Sequence, residues 1–189
     1  MKISFEVRGL LVAVVALAAL GGCNDPLQLN PATNTNAVDT VTIYALRGTT
    51  VTLPSGFDLP TNSVARTDQA GFDFAFDISD AGTSLVYPGG ALGLAKQSGV
   101  LTTGQVFDTL KSAPTTGYVD SVAVAIDQGS VFVVRSRPFI VGCELTGELP
   151  RYGKFHVLAV DPVARSLKLE TLVNQNCGYR SLEPGLPST

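Results

Sequence analysis

Two arginines at the end of a strand-like segment have the residue type and spacing most typical of ligand binding. Arg135 and Arg137 are separated by one serine and followed by Pro138. A guanidinium presents its N–H donors in a planar fork that matches a carboxylate in two parallel hydrogen bonds. The pair therefore predicts a grip for an anionic group. The alternative is an edge strand whose charges protect it from aggregation.

Acid–base chemistry has few candidates, because His156 is the only histidine of the chain. Strand alternation places it on the face of Lys154, which predicts a solvent-facing histidine; the alternative is a ligand or a general base. Ser84 lies in a segment that lacks the second glycine of a nucleophile elbow. Since no acid, base and nucleophile can be assembled, we expect the protein not to be an enzyme.

Two carboxylates alternate with phenylalanines in the segment from Phe72 to Ile78. Asp73 and Asp77 share the face opposite the apolar side chains of this predicted strand. They could form a carboxylate pair, a calcium site or the acidic centre of a hydrolase; the alternative is a sheet face in contact with solvent. The segment lacks the Asp-x-Asp-x-Asp-Gly loop of a calcium site, so we predict no bound metal.

The first 22 residues have the anatomy of a secretory signal. Lys2 and Arg8 flank its basic start, and the apolar stretch from Leu10 to Leu20 is shorter than the roughly 20 residues that a membrane-spanning helix needs. The stretch ends in Leu-Gly-Gly followed by Cys23. Residues 1–22 are therefore predicted to be removed on export.

The residues around Cys23 resemble the lipobox of bacterial lipoproteins. That resemblance implies a diacylglyceryl group on the Cys23 thiol, cleavage before it, and acylation of the new amino terminus by a chain such as palmitate. A plain signal peptide is the alternative. Asn24 follows the cysteine, and resemblance to the lipoprotein sorting rule then implies the outer membrane, with the domain in the periplasm or elsewhere in the cell envelope.

Composition predicts one folded domain after removal of the leader. The remaining 167 residues lose Lys2, Arg8 and Glu6, so 13 basic and 16 acidic side chains become 11 and 15, a net charge of −4. A mildly acidic chain without a basic run argues against nucleic acid as a partner. Residues 23–40 begin with the lipidated cysteine and are rich in Asn, Thr, Pro and Asp, which predicts a flexible tether before a single β domain at 41–189.

Cys143 and Cys177 remain as a pair in an exported chain, where oxidation is the default. If three late strands form a meander, both cysteines emerge at the same end of it. We therefore predict a Cys143–Cys177 disulfide. A redox pair would need Cys-x-x-Cys spacing, and the lack of a neighbouring histidine argues against zinc.

Apolar residues alternate with a period of two along most of the mature chain, which predicts strands. A two-residue turn at Arg47-Gly48 predicts a hairpin, and a second hairpin surrounds Pro162. A short helix is predicted over 104–112. The predicted fold is mostly β, an antiparallel β-sandwich or partly open barrel with one short helix. The predicted strands are Val41–Leu46, Thr49–Leu53, Phe72–Ile78, Lys154–Val160, Ser166–Val173 and two short ones around Val124 and Val133.

Five short motifs follow one another along the mature chain: Phe72-Asp-Phe-Ala-Phe76, Leu85–Gly93, Val106–Leu110, Val131–Val134 and Tyr152–Val157. In this order they resemble the β-rich haem-binding lipoproteins of the HmuY type. The C-terminal Asn-Cys-Gly-Tyr-Arg-Ser-Leu segment also resembles the endings of other bacterial lipoproteins. The first resemblance implies a β-rich fold and capture of haem.

Haem ligands of that family are pairs of histidines or methionines, which this chain lacks after removal of the leader. His156 or Tyr152 could supply one axial ligand. We expect a lipid-anchored cell-envelope lipoprotein that acts as a non-catalytic binding or structural module, with the membrane and an envelope protein or a small ligand as partners. Haem or another flat apolar ligand is the alternative, and a hydrolase using the acidic strand face is the third. The candidate ligand-binding residues are Arg135, Arg137, Tyr152 and His156.

Overall fold

Two five-stranded antiparallel sheets pack face to face in the computed structural model, which describes residues 29–69, 71–139, 143 and 148–187. The predicted mostly β fold, a sandwich rather than a closed barrel, is confirmed. The strands are β1 Val38–Tyr44, β2 Gly56–Asp58, β3 Ser63–Ala65, β4 Phe74–Ile78, β5 Ser84–Pro88, β6 Gly99–Thr103, β7 Val124–Ala125, β8 Val131–Arg135, β9 Tyr152–Asp161 and β10 Ser166–Asn174. The first sheet has the order β1-β10-β9-β8-β6 and the second has the order β3-β2-β4-β5-β7.

Phenylalanines from both sheets fill the space between them. Phe74 lies 5.1 Å from Phe155 and 5.8 Å from Phe132, ring centre to ring centre, and both contacts are edge-to-face. Phe57 completes the cluster and is also fully buried. Such pairs each contribute roughly 0.5–1.5 kcal/mol beyond the burial of their area. Every second side chain of β4 enters this core, as the alternation in its sequence predicts.

The hairpin around Pro162 is confirmed. β9 and β10 pair over almost their whole length, and the main-chain N–H groups of Val163 and Ala164 donate to the Asp161 carboxylate in the turn. One register shift lies between Lys168 and Leu169. This hairpin forms the centre of the first sheet.

The hairpin predicted at Arg47-Gly48 is wrong. β1 pairs with β10 instead, and residues 49–53 form turns rather than a strand. Gly48 does adopt a left-handed conformation, with φ +76°, so the turn exists. Just before this turn the chain already contacts the second sheet, since Leu46 N donates to Phe76 O. β1 therefore pairs with β10, which is distant in sequence, instead of with the segment 49–53 that follows it.

Residues 104–119 and the C-terminal segment cover the outer face of the first sheet. Phe107, Leu110 and Leu182 pack there against Val133 and Tyr152 in a second apolar cluster. Within the segment predicted to be a short helix, the structure has one 3-10 turn at Phe107–Thr109, and a second lies at Gly89–Leu92. Within the described ranges no helix is long and apolar enough to cross a membrane.

Within the segment predicted to be a flexible tether, the described residues from Leu29 onward are bound to the domain. Asn176 Oδ1 accepts hydrogen bonds from the main-chain N–H of Thr33 and Asn34, and Asn36 exchanges two main-chain hydrogen bonds with Gly185. Polar composition indicated solvation, but the C-terminal segment instead supplies hydrogen-bond partners for the main chain of Thr33, Asn34 and Asn36. Cys23 lies outside the described residues.

The Cys143–Cys177 disulfide is confirmed, with 5.7 Å between its Cα atoms. β8, β9 and β10 form the predicted meander, so the chain after β8 and the chain after β10 leave the sheet at one end. Asn176, the residue that holds the N-terminal segment, immediately precedes Cys177. The disulfide therefore lies next to the attachment point of the N-terminal segment.

Candidate functional site

A cavity of about 490 Å³ opens beside Arg137. Five of its lining residues are apolar and none of these five was singled out by the sequence as functional. We call it the Arg137 cleft. Its lining comprises Leu46, Phe72, Leu92, Leu94 and Ala95, together with Thr67, Asp68, Gln69, Gly71, Gly89, Gln97, Ser98 and Arg137.

Arg137 is fixed in the cleft by two carboxylates. Its Nη2 donates to Asp58 Oδ1 at 2.7 Å, and its Nη1 lies 3.1 Å from Asp73 Oδ1. Its main-chain N–H also donates to Asp73 Oδ1, at 2.8 Å. With 22% of its side chain exposed, Arg137 contributes one partly accessible cation to a cleft that has apolar walls and one lining carboxylate, Asp68.

Asp73 lies beneath this guanidinium and is fully buried. Burial raises the pKa of Asp73 to about 6, although the positive charge of Arg137 and the N–H groups of Arg137 and Leu59 act in the opposite direction. Leu59 N donates to Asp73 Oδ2 at 2.8 Å. Desolvation outweighs these partners because no part of the carboxylate meets water.

A second arginine completes the buried charges on this side of the sandwich. Arg151 Nη1 donates to Pro60 O and its Nε to Gln175 O, both at 3.0 Å. Burial lowers the pKa of Arg151, while the charges of Asp58 and Asp73 raise it. Two carboxylates and two guanidiniums therefore balance here, which is how proteins accommodate charge away from water.

Asp73 and Asp77, which the sequence left open as a carboxylate pair or as a solvent-facing sheet face, lie in two separate clusters. Asp77 is buried in a separate cluster, where its Oδ2 accepts from Arg47 Nε at 2.6 Å and its Oδ1 lies 3.4 Å from Arg165 Nη2. Both carboxylates are buried, so neither contacts solvent as a side chain on the outer face of a sheet would. Each is bound to arginine, and no three potential metal ligands gather anywhere in the described ranges.

Arg135 and Arg137 do not form one grip. The Arg135 guanidinium lies over the Tyr118 ring, 5.1 Å from its centre, and Arg135 pairs in register with Tyr152. Arg135 and Tyr152 line a second cavity, of about 390 Å³, together with Lys96. β8 ends at Arg135. Arg137 lies two residues beyond the end of the strand and contacts Asp58 in the second sheet and Asp73 immediately before β4. Only Arg137 reaches the larger cleft.

His156 is half-buried rather than solvent-facing, with 30% of its side chain exposed. Its Nδ1 lies 3.1 Å from Glu170 Oε2 on the neighbouring strand. Lys154, on the same face, is buried, and its Nζ donates to the main-chain oxygens of Phe107 and Leu110. Burial lowers the pKa of this ammonium. His156 lines none of the three cavities described for this part of the chain.

Asp58 and Leu94 are two of the site residues that the sequence did not indicate. Asp58 belongs to a three-residue strand, too short to show periodicity, and Leu94 lies just after a 3-10 turn. The 3-10 turn at Gly89–Leu92 forms one wall of the cleft, which Gly89 and Leu92 line. Comparison with known protein families and with curated proteins yields no match to this chain.

Proposed function

We propose that this protein is a lipid-anchored cell-envelope lipoprotein whose β-sandwich is a non-catalytic binding module, with the Arg137 cleft as its binding site. The observation that carries the proposal is the cleft itself, which combines apolar walls with one fixed, partly accessible cation. Ligand sites in proteins are typically concave, mostly apolar and provided with a few oriented polar groups. The ligand class that fits is a small amphipathic molecule with an anionic or hydrogen-bond-accepting group.

The anchoring part of the proposal is supported by the leader and its terminal Cys23. The Cys143–Cys177 disulfide agrees with export, because such bonds persist in oxidising compartments. An enzyme is not favoured, since Asp73, Asp77 and Lys154 are each buried and bound to other protein groups. Haem capture stays a prediction from resemblance, because no contact of His156 or Tyr152 in the described residues favours it.

The binding site is tested by titrating the folded domain with 8-anilinonaphthalene-1-sulfonate, an apolar ring system that carries one anion. We expect saturable binding of one molecule. Leu94→Asp removes an apolar wall and adds a repelling charge, so it weakens binding about tenfold, or about 1.4 kcal/mol. Leu186→Asp is the matched control, because Leu186 is 62% exposed and Leu94 is 52% exposed.

Equal binding by wild type and Leu94→Asp would contradict the assignment of the cleft. Circular dichroism and thermal melting of both variants separate this result from unfolding, since this dye also binds loosely packed states. The anchor is tested separately by growing a bacterium that expresses the full chain with labelled palmitate. Label is expected in the wild type and lost in Cys23→Ser; label retained in Cys23→Ser would refute the anchor.

A further inference from the structure

The N-terminal segment enters the domain at one defined place. Asn30 O accepts a hydrogen bond from Tyr179 Oη, and Asn34 O accepts one from Asn176 Nδ2. Asn36 Nδ2 donates to Ser181 O and Glu183 O. We call residues 30–36 the strap. Because it is hydrogen-bonded along its length, the chain's path to Cys23 starts at Leu29.

The short remaining distance restricts where the domain can lie relative to an anchored Cys23. Six residue steps join Cys23 to Leu29, and a fully extended chain spans at most about 21 Å over that length. Leu29 lies beside Gly178 and lines a cavity of about 450 Å³ with Lys111, Ser112 and Arg180. These four cavity residues, Leu29, Lys111, Ser112 and Arg180, are called the anchor-side surface.

We propose that the strap orients the domain so that the anchor-side surface lies against the phosphate head groups of the membrane. This inference rests on the proposed lipid anchor. Lys111 and Arg180 place two cations on the surface, and the one carboxylate lining the same cavity is Glu183. Lys111 Nζ lies 3.1 Å from Glu183 Oε1, with both side chains more than half exposed. Such an exposed pair is weak, so Lys111 can turn to a lipid phosphate.

Arg180 is held more rigidly than Lys111. Its Nε donates to Ala113 O at 2.7 Å, and its Nη2 contacts the same oxygen. The guanidinium of this half-buried arginine is therefore held in one orientation where it lines the cavity. A fixed guanidinium beside a mobile ammonium suits a layer of phosphates, where contacts must form without a unique partner geometry.

The far end of the β9–β10 hairpin provides the control position. Val163 is 93% exposed in the hairpin turn. The nine residues of β10 separate that turn from the strap's attachment at Asn176, and eight strand steps span roughly 26 Å. A label at Val163 should therefore lie beyond the reach of head-group quenchers when the anchor-side surface faces the membrane.

The experiment uses the full, lipid-modified chain in vesicles that contain a head-group-quenching lipid. Ser112→Cys and Val163→Cys are each labelled with a fluorophore while the native disulfide stays oxidised. Flotation first establishes that each protein is anchored. We expect strong quenching at position 112 and little at position 163. Equal quenching at both positions in floating protein would overturn the inference and leave the anchor intact.

A protein that fails to float, or a Cys23→Ser variant that floats equally well, would overturn the lipid anchor and with it the inference. A second variant tests the strap. Ten Gly/Ser residues inserted after Asp25 add a root-mean-square length of about 17 Å, and we expect weaker quenching at position 112 with unchanged flotation. Full quenching in the lengthened chain would contradict orientation by the strap.

Discussion

Asp73 is the group whose ionisation has the clearest consequence for the stability of this fold. It is fully buried and touches Arg137 through both the main chain and the guanidinium. Burial raises its pKa to about 6 in the folded protein, whereas an aspartate in an unfolded chain titrates near 3.9. The folded state therefore holds a proton between these values that the unfolded state has already released.

The sign of the effect follows from this difference. Because the native state binds more protons in this window, the free energy of unfolding falls as the pH rises from about 4 to about 6. Two pKa units at 1.36 kcal/mol each give about 3 kcal/mol. The stability contributed by protonated Asp73 is fully present below the unfolded-state pKa and is lost above the folded-state pKa.

Urea unfolding of the wild type and Asp73→Asn at several pH values between about 4 and 7 isolates this contribution, because asparagine does not titrate. We expect the wild type's advantage over the variant to be about 3 kcal/mol larger at the acid end. Asp80→Asn is the control, since the Asp80 side chain is 99% exposed. If the difference in unfolding free energy between wild type and Asp73→Asn stays constant with pH, or grows as the pH rises, the reasoning is refuted. The attraction between Asp73 and Arg137 would then outweigh the desolvation of Asp73.

Three further predictions concern the disulfide, the strap and the wall of the cleft. Cys143→Ser opens a loop with a sequence separation of 34, so it should destabilise the oxidised protein by about 3–4 kcal/mol; urea unfolding should show no difference from wild type under reduction. Asn176→Ala removes the acceptor for Thr33 and Asn34 and should cost about 1–3 kcal/mol; limited proteolysis should then cut the strap faster, and an unchanged cleavage rate would contradict its attachment. A methyl group at Gly90 would overlap the main-chain oxygen of Asp120, whereas one at Gly104 meets nothing within 4 Å. Gly90→Ala should therefore lower stability by about 1–3 kcal/mol in thermal melting and Gly104→Ala should not, an order that the reverse result would disprove.

Local sequence was sufficient to predict the β9–β10 hairpin and the disulfide between Cys143 and Cys177. Turn residues and alternating strands lie within one short stretch there, so the pairing needs no distant partner. β1 shows the opposite case. It alternates as a strand should, yet its partner lies more than a hundred residues further along the chain. Alternation defines the two faces of a strand but carries no information about its neighbour.

Alternation also could not predict whether the face of β9 opposite the core is buried. His156 and Lys154 were correctly placed on one face, opposite Phe155. Whether that face meets water depends on the segment around Phe107, which covers it through contacts distant in sequence. The same reasoning applies to the strap, where polar composition indicated solvation but Asn176 supplies hydrogen-bond partners.

The two buried carboxylates of the β4 region fix this strand to the opposite sheet, while Arg137 remains partly exposed in the cleft. Asp73 immediately precedes the strand and Asp77 lies near its end. Each meets an arginine from the first sheet's loops, Arg137 after β8 and Arg165 before β10. Between them, Phe74 and Phe76 enter the core. β4 is thus fixed to the opposite sheet at both ends by ion pairs and at its centre by packing. Loss of Arg137 would remove the ion-pair partner of the buried Asp73, whereas Asp77 would keep Arg47 if Arg165 were lost. Of Arg137 and Arg165, only Arg137 lines one of the three cavities described for residues 29–187 with their gaps, so a ligand that binds it should stabilise the fold by mass action as well as fill the cleft.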